Sequence, residues 1–132
     1  MLTNVLANTK LLAMLKTTEF NSVLRALADP TRRGLYERVI AAEEITVGGL
    51  THGSGVSQGA VSQHLKTLRQ AGLVSERPEG RNVFYRANPQ GLEPMLEWMT
   101  RYAVFWSQRL DGLEQLLRLE DARKPNDGER ND

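Results

Sequence analysis

The stretch GSGVSQGAVSQHLKTLRQAG, residues 53–72, decides the fold. Its glycines point to a loop that cradles a phosphate ahead of a helix. Its leucine spacing and short polar side chains point instead to a helix that reads DNA. Gly53, Gly55 and Gly59 are spaced GxGxxxG, one residue off the dinucleotide fingerprint, which also needs a preceding strand and a βαβ unit. The residues before Gly53 read as helical, no parallel strand follows, and the P-loop pattern is absent. The DNA reading fits the side chains better. Ser57 is a good N-cap and Gly72 a good stop. Val61, Leu65 and Leu68 fall at i, i+4 and i+7 and form one apolar stripe. Ser57, Gln58, Ser62, Gln63, Lys66 and Arg69 lie mostly off it, where short polar and basic groups can reach base edges. Gly59 and Ala60 are small enough to let the helix N-terminus approach a phosphate. A solvated face on any small domain would have the same pattern, so the neighbouring segments have to decide.

Upstream, EITVGGLTHGSG is a weak helix candidate capped by Thr46. Its Gly48, Gly49 and Gly53 each cost roughly 1 kcal/mol against alanine inside a helix. Before it, FNSVLRALADP puts Phe20, Val23, Leu24 and Leu27 on one helical face. Asp29 and Pro30 then end that helix and start another, continued by Leu35, Val39 and Ile40. Residues 1–19 place Leu2, Val5, Leu6, Leu12 and Leu15 at helical spacing. They read either as an extra N-terminal helix or as a start-site artefact, with Met14 beginning a shorter chain.

Downstream the period changes. Leu73 to Arg77 and Asn82 to Arg86 read as two short strands, with Pro78-Glu79-Gly80 as the turn. Proline suits a central strand badly, which places Pro78 at the hairpin end. Arg77, Arg81 and Arg86, with Asn82 near the tip, are what a wing needs to touch phosphates or enter a minor groove. From Glu93 to about Leu119 the pattern is one long amphipathic helix. Met95, Trp98, Tyr102, Phe105, Trp106, Leu110, Leu113 and Leu117 lie on or beside one stripe. Residues 121–132 read as a polar disordered tail. The order is helix, helix, weak helix, strong helix, hairpin, long helix. That is a mainly α (α+β) winged helix-turn-helix, spanning residues 20–120, with helices added outside the reading unit.

The 132 residues are enough for one domain with a core and hardly for two. The chain has no cysteine, which removes disulfides, thiolate metal sites and thiol catalysis together. No apolar run approaches a membrane span and the N-terminus lacks the pattern of a signal peptide, so the expected location is the cytoplasm. Net charge is only +1, but its distribution is uneven. From Pro30 to Gln90 eight basic residues face five acids, whereas the last fourteen residues have five acids and three bases. An enzyme would need a nucleophile, a base and an orienting group in one pocket. His52, His64 and scattered carboxylates form no such motif.

ALADPTRRGLYERV, VSQGAVSQHLKTLRQAGLV and SERPEGRNVFYRAN together resemble the ArsR family of bacterial transcriptional repressors, over about Phe20 to Leu117. The resemblance implies a homodimer built from the first and last helices. It implies binding to palindromic double-stranded operator DNA, repression of the protein's own or a neighbouring operon, and release by an inducer. Carried over by position, it assigns base or phosphate contacts to Ser57, Gln58, Ser62, Gln63 and His64. Lys66 becomes a phosphate contact and Arg81 a wing contact. Arg77 and Asn82 join the wing, and Arg32 and Arg33 are candidates for the DNA backbone, for solvent, or for pairing with Glu37.

The chain departs from the metal-sensing members. The soft-metal sensors have cysteines where this chain reads TVGGLTHG, so thiolate sensing is excluded chemically. The last helix offers Glu93, Glu97, Asp111 and Glu114 but no histidine, and no cofactor is expected. The FW and RLDGLEQLL segments resemble a metal-free subgroup. The aromatic stripe needs a partner surface. One reading buries Leu24, Leu27, Trp98, Tyr102, Phe105, Trp106, Leu110 and Leu113 across a two-fold dimer interface. Another makes the aromatics a pocket for an unidentified small apolar inducer. A third, motivated by the glycine-rich helix, is a helical interaction module that has lost DNA binding.

Overall fold

The computed structural model describes residues 2–123. α1 (Leu2–Ala28) is one continuous helix, so the N-terminal extension and the helix at Phe20 are a single element. α2 (Pro30–Ala42) starts where Asp29 and Pro30 place it. The Asp29 carboxylate accepts the Arg32 amide at 2.8 Å, and proline fills a first-turn position whose missing N–H has no intrahelical partner to lose. α3 (Val47–Thr51) is short, as its glycines foretell, and the Thr46 hydroxyl accepts the Gly49 amide at its start. Gly49 answers a close approach: a Cβ there would lie 2.9 Å from the Ile45 side chain.

α4 (Gln58–Gln70) is the helix read from the opening stretch. The glycines before it belong to the turn between α3 and α4. Gly53 and Gly55 sit at φ +72° and +76°, a region open to glycine and costly for side chains with a Cβ. The helix ends in a Schellman motif at Gly72, φ +77°. The Gly72 amide donates to the Arg69 carbonyl at 3.0 Å and the Leu73 amide to the Leu68 carbonyl at 2.9 Å. Leu68 and Leu73 are both fully buried there.

The hairpin comprises β2 (Val74–Glu79) and β3 (Asn82–Ala87), preceded by β1 (Ile45–Thr46), in the antiparallel order β1-β3-β2. Two details differ from the sequence reading. Pro78 lies inside β2, opposite Val83, and the turn is Gly80-Arg81, since Glu79 pairs with Asn82. β2 is an outer strand, where alternate amides face away from the partner, so a residue without N–H is tolerated. The strand β1 was not foreseen. Its two residues pair with Tyr85 and Phe84, partners 40 and 38 positions further along the chain that no local pattern announces.

The core gathers Val23 and Ala26 of α1, Leu35, Tyr36 and Val39 of α2, and Leu50 of α3. Val61, Leu65 and Leu68 of α4 join them, with Leu73 and Val74 leading into β2. Tyr36 takes the place expected of Ile40, which is half exposed at 50%. Leu27, expected at a dimer interface, packs partly buried against this core, whereas Leu24 on the same helix is exposed.

Contacts divide the chain into two units, one through Leu96 and one from Glu97. The expected single C-terminal helix is two: α5 (Glu93–Arg101) and α6 (Ala103–Arg123). At the junction the Tyr102 amide donates to Met99, three residues back, and helical bonding resumes from Trp106 to Tyr102. α6 also takes in residues 121–123 of the expected polar tail; residues 124–132 lie outside the described residues.

Candidate nucleic-acid interface

On α4 the apolar stripe sets the orientation. Val61, Leu65 and Leu68 have no exposed surface, so the opposite arc must face outward. Ser62, Gln63 and Lys66 occupy that arc and are exposed. The Ser57 hydroxyl accepts the Ala60 amide at 3.1 Å, so it serves first as the helix cap. Gln58 is exposed in the first turn. His64 lies off the arc and is half-buried. The Arg32 amide bonded to Asp29 holds the Asp29 carboxyl below its usual range.

The hairpin reaches solvent at Gly80-Arg81. Arg81 and Asn82 are exposed there, and Arg86 is exposed on β3. Lys66, Arg81 and Arg86 form no ion pair with any described residue. Arg77 differs from them. Its Nε and Nη2 donate to the two Glu44 oxygens at 2.8 and 3.0 Å, its Nη1 donates to Glu79 at 2.8 Å, and its guanidinium lies 5.0 Å from the Phe84 ring centre. On the other face of the sheet Arg69 of α4 pairs with Glu76 of β2, and Glu76 also accepts the Tyr85 hydroxyl at 3.3 Å. Burial and the facing Glu76 raise the Tyr85 phenol above its usual range.

Arg32 and Arg33 bond to the protein itself. Arg32 donates to the Ala26 and Arg25 carbonyls at 2.6 and 2.8 Å, and Arg33 to Leu27 at 2.8 Å. These are last-turn carbonyls of α1 that have no intrahelical donor, and a guanidinium at a helix C-terminus is also favoured by the dipole. Sequence reasoning did not single out Arg38. It donates to the carbonyls of Leu50, Gly49 and His52 at 2.6, 3.1 and 3.1 Å and does the same for α3. The signal was present in the spacing, since Arg38 lies on α2 one turn beyond the buried Leu35, but its partners are eleven or more residues away.

The dimer candidates of the second unit are exposed side chains in this chain. Trp98, Tyr102, Phe105, Trp106, Leu110 and Leu113 keep between 39% and 58% of their surface. Trp98 and Tyr102 pack with centroids 5.1 Å apart and ring planes tilted by 54°, and Phe105 and Trp106 meet edge-on at the same distance. Among the described residues no three His, Asp or Glu side chains gather as a metal site. No described helix is long and apolar enough to cross a membrane.

Residues 27–77, the segment from the end of α1 through most of β2, match a family described as a helix-turn-helix domain. Over 93 residues the chain is 43% identical to the HTH-type transcriptional regulator Rv2034 of Mycobacterium tuberculosis, covering 70% of this chain and 83% of that one. The fold is similar to an ArsR-like transcriptional regulator from Rhodococcus sp. RHA1, with a TM-score of 0.61 and 30% identity over 76% of this chain and 93% of that one. The chain belongs to the ArsR family. It is also similar to the transcriptional repressor SdpR of Bacillus subtilis, 29% identical over 62% of this chain and 90% of that one. As an ArsR-family protein it is a winged helix-turn-helix DNA-binding transcription regulator and not an enzyme. In family terms α3 and α4 are the helix-turn-helix and the β2–β3 hairpin is the wing.

Proposed function

We propose that this ArsR-family protein is a homodimeric repressor that recognises a specific operator in its own or a neighbouring operon, in the bacterial cytoplasm and without a thiolate metal site. One observation carries the reading: α4 buries Val61, Leu65 and Leu68 completely and turns Ser62, Gln63 and Lys66 outward, with an uncommitted Arg81 at the wing tip. Glutamine can form a bidentate pair with adenine, whereas lysine and arginine supply sequence-independent attraction to phosphates. Ser57, Gln58, His64 and Asn82 are assigned to the edges of this surface. Arg32, Arg33 and Arg77 are assigned supporting roles, because their nitrogens already have partners within the protein.

The working domain is read as residues 20–120, with dimerisation through α1 and the C-terminal helices. Leu24 on α1 and the exposed stripe from Trp98 to Leu113 support that assignment, since large apolar side chains in a row favour a partner surface. The paired aromatics also favour a second reading, in which they bind a small apolar inducer. The test is a titration of the purified protein against its own upstream DNA and a scrambled duplex at two salt concentrations. Preference for upstream DNA that survives high salt is expected. Equal, salt-sensitive binding to both duplexes would overturn the specific-operator reading.

A further inference from the structure

The outer face of the wing sheet carries a bridge that its strand order does not require. Glu44 stands just before β1 and Arg77 is on β2, with β3 between those strands. The two side chains meet across β3, over its Phe84, in a side-on pair made by two nitrogens and both carboxylate oxygens. Such a fork fixes direction as well as distance. Glu79 takes the remaining guanidinium nitrogen, so all three nitrogens of Arg77 are engaged.

The chain leading into Glu44 is unusual as well. Glu43 is the one described residue other than glycine at positive φ, with φ +63° and ψ −58°, and the Glu44 amide donates back to the Ala42 carbonyl at 2.7 Å. This is a γ-turn of the rare, strained hand. A side chain in that region is strained and persists where surrounding contacts over-determine it. The turn delivers Glu44 to Arg77.

We propose that the Glu44–Arg77 pair is a positioning clamp, which sets the wing at the angle that lets its tip and α4 engage one duplex. The inference rests on the DNA-reading assignment above. It makes Glu44, an acid, a residue that supports DNA binding. Charge alone says the opposite, since deleting an acid beside a phosphate-binding surface should tighten binding to any DNA.

That opposition of sign is the basis of the test. The wild-type protein is used to select a duplex from a randomised pool, and the affinities of Glu44→Gln, Arg77→Gln and the double variant are measured for the selected and a scrambled duplex. Amide hydrogen exchange across β2 and β3 is followed in the free proteins. The expected result is faster exchange in the wing for each variant and about fivefold to tenfold weaker binding to the selected duplex. The double variant should be no weaker than Arg77→Gln alone, the non-additivity of two residues that act as one unit. Binding of Glu44→Gln to the scrambled duplex should be unchanged or slightly tighter. Exchange that stays at the wild-type rate would overturn the clamp whatever happens on DNA. Faster exchange with unchanged or tighter binding to the selected duplex would overturn its positioning role. If the wild type selects no sequence, the DNA-reading assignment falls and the positioning role with it, while exchange still reports whether the wing is clamped.

Discussion

The Arg38 guanidinium donates to the Leu50 carbonyl at 2.6 Å, joining the middle of α2 to the end of α3. It reaches Gly49 and His52 from the same position. A five-residue helix with two glycines has little stability of its own. Arg38 therefore supplies donors to carbonyls that the short helix leaves open. Arg38→Ala should destabilise the protein by about 1.5–3 kcal/mol, the range for hydrogen bonds to a charged donor. Arg38→Lys should restore only part of this, because one ammonium cannot match the fork. Urea unfolding of the two variants checks both statements.

A contrasting pair of glycines tests packing. Gly91 is buried in the turn before α5, and a Cβ there would stand 2.9 Å from the Gly72 carbonyl oxygen and 3.0 Å from the Leu73 Cα. Those neighbours are backbone of the Schellman motif and cannot rotate away. Gly91→Ala should cost about 1–3 kcal/mol through overpacking. Gly112 on α6 has nothing within 4 Å of its Cβ position. Gly112→Ala should stabilise its helix by about 0.5–1 kcal/mol. Opposite shifts of Tm are expected; a lower Tm for Gly112→Ala would contradict the open site.

On DNA, Arg81→Ala and Gln63→Ala should fail differently. Losing Arg81 should weaken binding to all sequences and reduce the salt slope by about 1. Losing Gln63 should change which sequence is preferred, by about 1–3 kcal/mol at one base pair. Salt-dependent titrations against a panel of single-substitution duplexes separate the two. Wild-type behaviour of both variants would remove α4 and the wing tip from the reading surface.

Acid should weaken the fold at two identified points. The Arg32 amide holds the Asp29 carboxyl below its usual value of 3.8, and the Arg77 guanidinium holds Glu44 below 4.5. Folded values below unfolded ones mean that each group contributes stability above its unfolded pKa. That contribution is lost as pH falls through the folded value, so the loss begins near pH 4 and continues downward. The double variant Asp29→Asn, Glu44→Gln should show a flatter fall in stability below pH 4.5 than the wild type, by denaturant midpoint at a series of pH values. At the other end, burial raises Tyr36 and Tyr85 above 10, so stability should also fall as pH rises past 10.

The assigned dimer surface makes its own prediction. Leu110 and Leu113 are 58% and 51% exposed in the single chain. If α6 lies in a dimer interface, Leu110→Glu with Leu113→Glu should shift the dissociation constant upward by at least tenfold, since buried unpaired charges are strongly unfavourable. Sedimentation equilibrium reads this directly. A monomer in both forms would remove the interface.

Much of α4 was legible in the residues because its causes are local. Ser57 caps the amide three positions on, Gly72 closes the two bonds of its own C-terminus, and the 3.6-residue period alone decides that Val61, Leu65 and Leu68 share a face. The hairpin was legible for the same reason, apart from the position of its turn. Other features depended on which distant group comes near. Pro78 could enter a strand only because β2 proved to be an outer one, and strand order is a property of the whole sheet. Sequence showed Arg77 as a cation in a wing; the fold spends its nitrogens on Glu44, thirty-three positions away, and on Glu79. Arg32, Arg33 and Arg38 likewise looked like surface charge until the ends of α1 and α3 arrived beside them. Short-range periodicity and capping are written in adjacent residues and determine the elements. Which cations remain available for a partner follows from long-range packing, because an unpaired carboxylate or carbonyl takes whichever donor the tertiary structure brings within reach.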